Sequence, residues 1–226
     1  MNPEKKHLLK IARSFGSASE SYDISARLQR YSGKNLMPWL PNRNDLTVVD
    51  LGSGTGFFTE ILATRYHQVI GLDISSQMLS FAKQNRNNAI SWLEADAYKL
   101  PFADSSLDGI LRIYAPCKAE ELARVINENG VVITVTPAGR HLYQLRERIY
   151  QEVRLHNEDP EQINGFALEH QEKLSYIMEL ADGDAFDLLQ MTPFAWKASD
   201  SLREELTDSA LFKCEADFML RVYRKI

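Results

Sequence analysis

Apolar residues in the middle of the chain fall into short runs separated by polar stretches of helical period. LTVVDLG (46–52) is a compact apolar run ending in glycine, the pattern of a strand buried on both faces of a parallel sheet. FFTEILATRY follows with helical spacing, and QVIGLD (68–73) predicts a second strand. SSQMLSFAKQN predicts a second helix, with Ser75 or Ser76 as its N-cap. ISWLEAD (90–96), LDGILRIY (107–114) and VVITVTP (131–137) predict three further strands. A helix over CKAEELARVI (117–126) and a turn at NENG separate the last two. Strand and helix alternate, which predicts a doubly wound α/β domain with a mostly parallel sheet.

The flanks are less regular. Residues 1–40 read as helical, with a Gly/Ser break at Gly16–Ser21, and Pro38 and Pro41 close that segment. RHLYQLRERIYQEVRLH (140–156) predicts a long, arginine-rich helix, and 157–185 predicts irregular polar chain. FDLLQMTPFAW (186–196), residues 200–208 and LFKCEADFMLRVYRK (211–225) predict strand, helix and strand. The expected organisation is an N-terminal helical segment (1–42), a nucleotide-binding core (43–138), a helical insertion (139–185) and closing strands (186–226).

The 226 residues suffice for one domain with a full core. No apolar run reaches the 18 or so residues of a membrane span. MNPEKKHLLKIARSFG lacks the long apolar stretch of a secretion signal. Cys117 and Cys214 are too few for a four-cysteine zinc site or a disulfide framework. These features predict reduced thiols in a cytoplasmic protein. The net charge of −5 argues against a generally basic, nucleic-acid-binding surface. Its distribution is uneven: residues 1–45 carry eight Lys/Arg against four acids, a balance of +4 that leaves −9 on the rest.

Asp50-Leu-Gly52-Ser53-Gly54-Thr-Gly56 carries the chemistry. Glycines between a strand and a helix let the backbone turn tightly and approach a ligand. A dinucleotide loop reads G-x-G-x-x-G; here the spacing is G-x-G-x-G, which suits a nucleoside without a pyrophosphate, such as S-adenosylmethionine. Asp73, 21 residues after Gly52, ends the second strand, where a carboxylate accepts hydrogen bonds from both ribose hydroxyls. That position fits NAD as well. Asp50, Asp73 and Asp96 are expected at three consecutive strand ends facing one crevice.

Residues 46–136, with DLGSGTG, GLDIS, EADAYKLPF, SLDGI and ELARVINENGVVIT, resemble the class I S-adenosylmethionine-dependent methyltransferases. The resemblance implies a Rossmann-like, seven-stranded mixed sheet. It also implies loop 52–56 around the methionine moiety, Asp73 on the ribose, Ile74 against adenine, and Asp96 with Ala97 near the adenine amino group.

Two narrower resemblances follow. Residues 11–41 look like the N-terminus of the biotin-synthesis methyltransferases, which methylate the free carboxyl of malonyl-acyl carrier protein. Phe15, Gly16, Ala18, Tyr22, Asp23, Ala26, Leu28 and Gln29 match that family's FGxAAxxYDxxAxLQ stretch, and the likeness continues to about residue 108. From about residue 100, LPFADSSLDGILRIYAPCKAEELARV, TPAGRHLYQLRERIYQEVRLH and LLQMTPFAWKA look like the 23S rRNA guanine-N1 methyltransferases, without that family's cysteine-rich zinc module. The changeover lies in LPFADSSLDG, and the chain reads as one fold with two ancestries.

The expected acceptor is guanine N1 in 23S rRNA. The alternatives are the carboxyl of malonyl-acyl carrier protein and a catalytically silent cofactor-binding module. The candidate acceptor-side residues are Tyr114, to stack on a base or simply to pack, and Arg112, to contact the cofactor carboxylate or orient the loop, with a helix-cap or surface role as the alternative. Tyr22 would close over the cofactor, and His141 is the candidate base. Arg140, Arg146, Arg148 and Arg154 either track phosphates or form a solvated, internally paired face. Lys5, Lys6, Lys10 and Arg13 would meet an acidic carrier protein, or form a solvated helical face. Cys117 reads as a structural helix-start residue.

Overall fold

The computed structural model describes residues 37–181 and 183–226. Tyr22, the basic residues up to Arg13 and the expected N-terminal helices lie outside the described residues.

Seven strands form one sheet: β1 (Thr47–Leu51), β2 (Gln68–Asp73), β3 (Ser91–Glu94), β4 (Leu107–Ile113), β5 (Ile126–Pro137), β6 (Phe166–Leu180) and β7 (Phe212–Lys225). Their order is β3-β2-β1-β4-β5-β7-β6. The first five are parallel, and β7 runs antiparallel between β5 and β6. The helices are α1 (Phe57–Ala63), α2 (Ser76–Asn85), α3 (Ala119–Val125), α4 (Tyr143–Glu147), α5 (Asp184–Gln190) and α6 (Asp200–Thr207). Ser75 caps α2, its hydroxyl accepting from the Met78 amide.

Successive strand residues point to opposite faces, so the runs read from the sequence feed two cores. One holds Val48, Leu62, Leu111, Ile133, Phe218 and Leu220. The other holds Val49, Leu51, Ile110, Leu122, Val132 and Tyr223. Each fully buried Leu or Ile adds about 1.5–3 kcal/mol of hydrophobic stabilisation. That explains why the parallel strands lack polar alternation.

The second half departs from expectation in three places. The helix predicted over 140–156 is reduced to Tyr143–Glu147. Ala138 and Leu142 give their amides to the carbonyls of Asp217 and Glu215 on β7, and Leu142 takes a left-handed backbone, φ 52°. The helix therefore starts only after Leu142. The Arg154 carbonyl is taken by the Arg146 guanidinium instead of a helical amide. The segment 139–185, expected as a helical insertion, contains the longest strand, β6. FDLLQMTPFAW, expected as a strand, begins within helix α5, whose Leu188 and Leu189 are buried. The sheet still has seven strands because β6 takes the place assigned to that segment.

Candidate active site

The site lies at the carboxyl ends of the parallel strands. Gly52, Gly54 and Gly56 all take positive φ, 77°, 54° and 81°. This wraps the loop so that the amides of Gly52 and Ser53 both donate to the Leu72 carbonyl at the end of β2, 2.8 and 3.0 Å away. A side chain on Gly52 would put its Cβ 2.5 Å from Ala115 Cβ, so the loop lies directly against the chain leaving β4. Arg86 pins the outer side of the loop through the Thr55 carbonyl and Glu60.

Asp73 ends β2, as expected. Its Oδ2 accepts from the Gly54 amide and its Oδ1 from the Ser75 amide, each at 2.8 Å. Burial raises this carboxyl above its ordinary range, while those amides hold it down. Two oxygens accepting one bond each keep lone pairs for a diol. Ile74 is half-buried beside it. Asp96 lies two residues beyond β3 and accepts from the Tyr98 amide, 3.0 Å. The Ala97 carbonyl receives the Cys117 thiol at 3.2 Å.

The structure brings Gly52–Gly56, Asp73, Ile74, Asp96 and Ala97 to one sheet edge, and corrects the expectation for Asp50. That residue is buried within β1, 2% exposed, and accepts from the Thr59 hydroxyl of α1 at 2.6 Å. Burial pushes its carboxyl up to about 7, against the effect of the Thr59 bond. Asp50 ties the strand to the helix beneath the loop.

Gly56 also has a role that spacing did not indicate. A Cβ on Gly56 or on Gly71 would come within 2.3 Å of the Trp92 ring. Trp92 pairs with Gly71 across β2 and β3, so the indole occupies the room both glycines leave. The Trp opposite a strand glycine is the one sequence signal that pointed there.

On the acceptor side, Tyr114 follows β4 with φ 54°, an uncommon conformation for a bulky residue. It is 46% exposed, and its amide donates to the Val135 carbonyl. Its ring lies near His141 and Phe218, with the phenol oxygen 3.5 Å from His141 Nε2. His141 Nδ1 accepts from the Asp217 amide at 3.3 Å, which places the neutral ring's proton on Nε2, facing Tyr114. Burial lowers His141 to about 3.

Arg112 does not face Tyr114 and His141. It is buried on the other face of β4 and paired with Glu161, a residue sequence reasoning missed because the partners lie 49 positions apart. Three of the four arginines of that row are engaged, two of them by acids on other elements. Arg140 binds Glu215, Arg148 binds Glu205, and Arg146 binds the carbonyls of His141 and Arg154. Cys117, half-buried, has its thiol pushed up to about 11 by burial, as suits a structural residue.

This strand order and this loop define the class I methyltransferase fold. Residues 49–134 match the family described as "Methyltransferase domain", and that match points to S-adenosylmethionine as the cofactor. The match resolves the choice of nucleoside that Asp73 left open. The fold is shared with an S-adenosylmethionine dependent methyltransferase from Mesorhizobium loti, with TM-score 0.53 and 21% identity, covering 85% of this chain and 96% of that one.

In sequence, the chain is 43% identical over 152 residues to the biotin biosynthesis bifunctional protein BioHC of Cellvibrio japonicus, covering 64% of this chain and 30% of that protein. It is 35% identical over 144 residues to the malonyl-[acyl-carrier protein] O-methyltransferase of Pectobacterium atrosepticum, covering 61% of this chain and 56% of that enzyme. The chain thus spans about half the length, or less, of these curated relatives. The comparisons support the biotin-synthesis resemblance and lend none to guanine N1 of 23S rRNA. Among the described residues, no helix is long and apolar enough to cross a membrane.

The pocket's own atoms fit the cofactor. Ser53 Oγ is buried without a hydrogen-bond partner among the described residues. A Cβ on Gly54 would meet nothing within 4 Å, which leaves the loop backbone open to a ligand.

Proposed function

We propose that the protein methylates a free carboxylate, that of a malonyl group carried on an acyl carrier protein. The relatives named for that reaction support the reading. The structural observation that carries it is the buried His141. With its pKa lowered to about 3, it is a poor acceptor for the proton that guanine N1 must lose. His156 nearby is lowered by burial too. A malonyl carboxylate is already ionised at neutral pH and needs no base.

When bound, S-adenosylmethionine would supply a methyl group carried on a positively charged sulfur, and its transfer to a carboxylate would cancel both charges. Loop 52–56 would hold the methionine end and Asp73 the ribose hydroxyls. Asp96 and Ala97 would flank the adenine, with Ile74 against its ring. Tyr114, its oxygen oriented by the Nε2–H of His141, would border the acceptor's approach on the opposite face of β4 from Arg112. Charge cancellation is favoured where water is excluded, because separated ions gain most from hydration. The basic residues Lys5, Lys6, Lys10 and Arg13 complete the reading as the docking segment for an acidic carrier.

The test uses labelled S-adenosylmethionine with the full chain, offered malonyl-acyl carrier protein and unmodified 23S rRNA in parallel. A base-labile methyl ester on the carrier is expected. Base-stable label in RNA would overturn the reading. So would tight S-adenosylhomocysteine binding without methylation of the carrier, the behaviour of a silent module.

A further inference from the structure

The second apolar core is interrupted by polar side chains near the carboxyl end of β5. Arg112, Thr134, Thr136 and Arg221 each stand two or four residues from a buried apolar neighbour, on the same face as Ile110, Val132 and Tyr223. The irregular segment 156–161 crosses them and leaves a cavity of about 210 Å³, lined by Thr134, Thr136, Asp159, Glu161, Arg221 and Tyr223 among others.

The two arginines there differ. Arg221 is fully engaged, by Gln171, Thr136 and the Glu158 carbonyl. Arg112 bonds, among the described residues, only to the Glu161 carboxylate. The cation is fixed in the sheet, its side chain 8% exposed. The anion is 38% exposed, on a segment without helix or strand. Tyr223 lies beside them, 2% exposed, its buried hydroxyl set against the Glu161 backbone. Arg112 is also next to the cofactor loop: it pairs in register with Leu51, and Ala115, three residues on, lies against Gly52.

We propose that Arg112, with the Tyr223 hydroxyl, is the receptor for the acceptor's carboxylate, and that Glu161 holds the place of that carboxylate until the substrate displaces it. The inference rests on the carboxylate-acceptor reading. Exchange suits the chemistry on both sides of the reaction. A malonyl carboxylate offers Arg112 the same charge-assisted bonds as Glu161, so entry needs no unpaired buried cation. Esterification removes the charge, the product loses its hold on Arg112, and Glu161 returns. Asp159, the other acid lining the cavity, then disfavours any second anion.

The experiment measures kcat and KM for malonyl-acyl carrier protein, with S-adenosylhomocysteine affinity by calorimetry, on the full chain. Arg112→Gln should raise KM about 10- to 100-fold, the effect of a lost charge-assisted hydrogen bond, with cofactor affinity unchanged. Glu161→Gln should lower KM, because it removes the competing anion. A salt bridge serving only stability predicts the same sign for both variants, so a raised KM in Glu161→Gln overturns the proposal. Tyr223→Phe removes a single buried hydroxyl and should raise KM several-fold; it keeps the test decisive if Arg112→Gln does not fold. Unchanged KM in both Arg112→Gln and Tyr223→Phe, or loss of S-adenosylhomocysteine affinity in a folded Arg112→Gln, overturns the carboxylate receptor alone. Absence of any methyl ester with the wild-type chain overturns both the function and the receptor.

Discussion

Asp50→Asn tests the reassignment of Asp50 from the crevice to the interior. The carboxyl is buried inside β1, bonded to Thr59, with its pKa raised from 3.8 to about 7. An acid raised on folding stabilises fully below its unfolded pKa, and that contribution is lost as pH rises through the folded one. Between pH 4 and pH 8 the native state must therefore surrender stability through this one group. A shift of about three units corresponds to about 4 kcal/mol, an upper bound because a buried site relaxes. Asparagine keeps the volume and an oxygen for the Thr59 hydroxyl, and it carries no titrating proton. Its buried NH₂ costs about 1–3 kcal/mol if it finds no acceptor, equally at every pH. The quantity to measure is the difference between Asp50→Asn and wild type in urea unfolding at pH 5 and again at pH 8. The variant should gain up to about 2.6 kcal/mol relative to wild type between the two pH values. It should also keep its S-adenosylhomocysteine affinity at pH 8. A difference that stays flat with pH, or a large loss of affinity, would refute the buried, non-contacting role.

Three further outcomes are expected. Asp73→Asn turns one acceptor into an amide facing the Gly54 or Ser75 N–H, and should weaken S-adenosylhomocysteine binding roughly 100-fold by calorimetry; unchanged affinity would refute the ribose assignment. Gly52→Ala forces a Cβ 2.5 Å from Ala115 Cβ in a left-handed conformation, which should cost about 2–5 kcal/mol in urea unfolding. Adding Ala115→Gly should restore the steric share of that loss, and a double variant no more stable than Gly52→Ala would refute the contact. Cys117, raised to about 11 by burial, should react with iodoacetamide at pH 7.5 far more slowly than a free thiol, since its thiolate fraction falls below about one in a thousand. Reaction at the free-thiol rate would refute its burial.

The core was legible because burial on both faces leaves a simple trace. A parallel strand covered by helices reads as an unbroken apolar run, and VVDL, VIGLD and VVITV all became strands at or within a few residues of their expected bounds. Asp73 was legible for a related reason: the last residue of such a strand is held at the sheet edge whatever surrounds it. The burial of Asp50, one residue inside the end of β1, depends on Thr59 of α1 packing beneath the strand, which the strand's own residues do not show. The arginine-rich stretch at 140–156 has helical composition, yet β7 captures the backbone amides that begin it.

The amino-acid sequence thus determined the strand-and-loop geometry of the candidate nucleoside site, because its glycines, strand ends and apolar runs are local features whose geometry the backbone enforces within a few residues. Tertiary structure alone decided the acceptor side. β6 is an edge strand with one face largely exposed, so its polar residues hide its period, and pairing with β7 reveals it. Arg112 and Glu161 meet only because the chain folds back across the sheet over 49 positions. His141 is pushed down because the fold buries it beside Phe218 and Tyr114 and brings His156 and Arg146 near it. Partner choice at long range and desolvation are properties of the packed molecule.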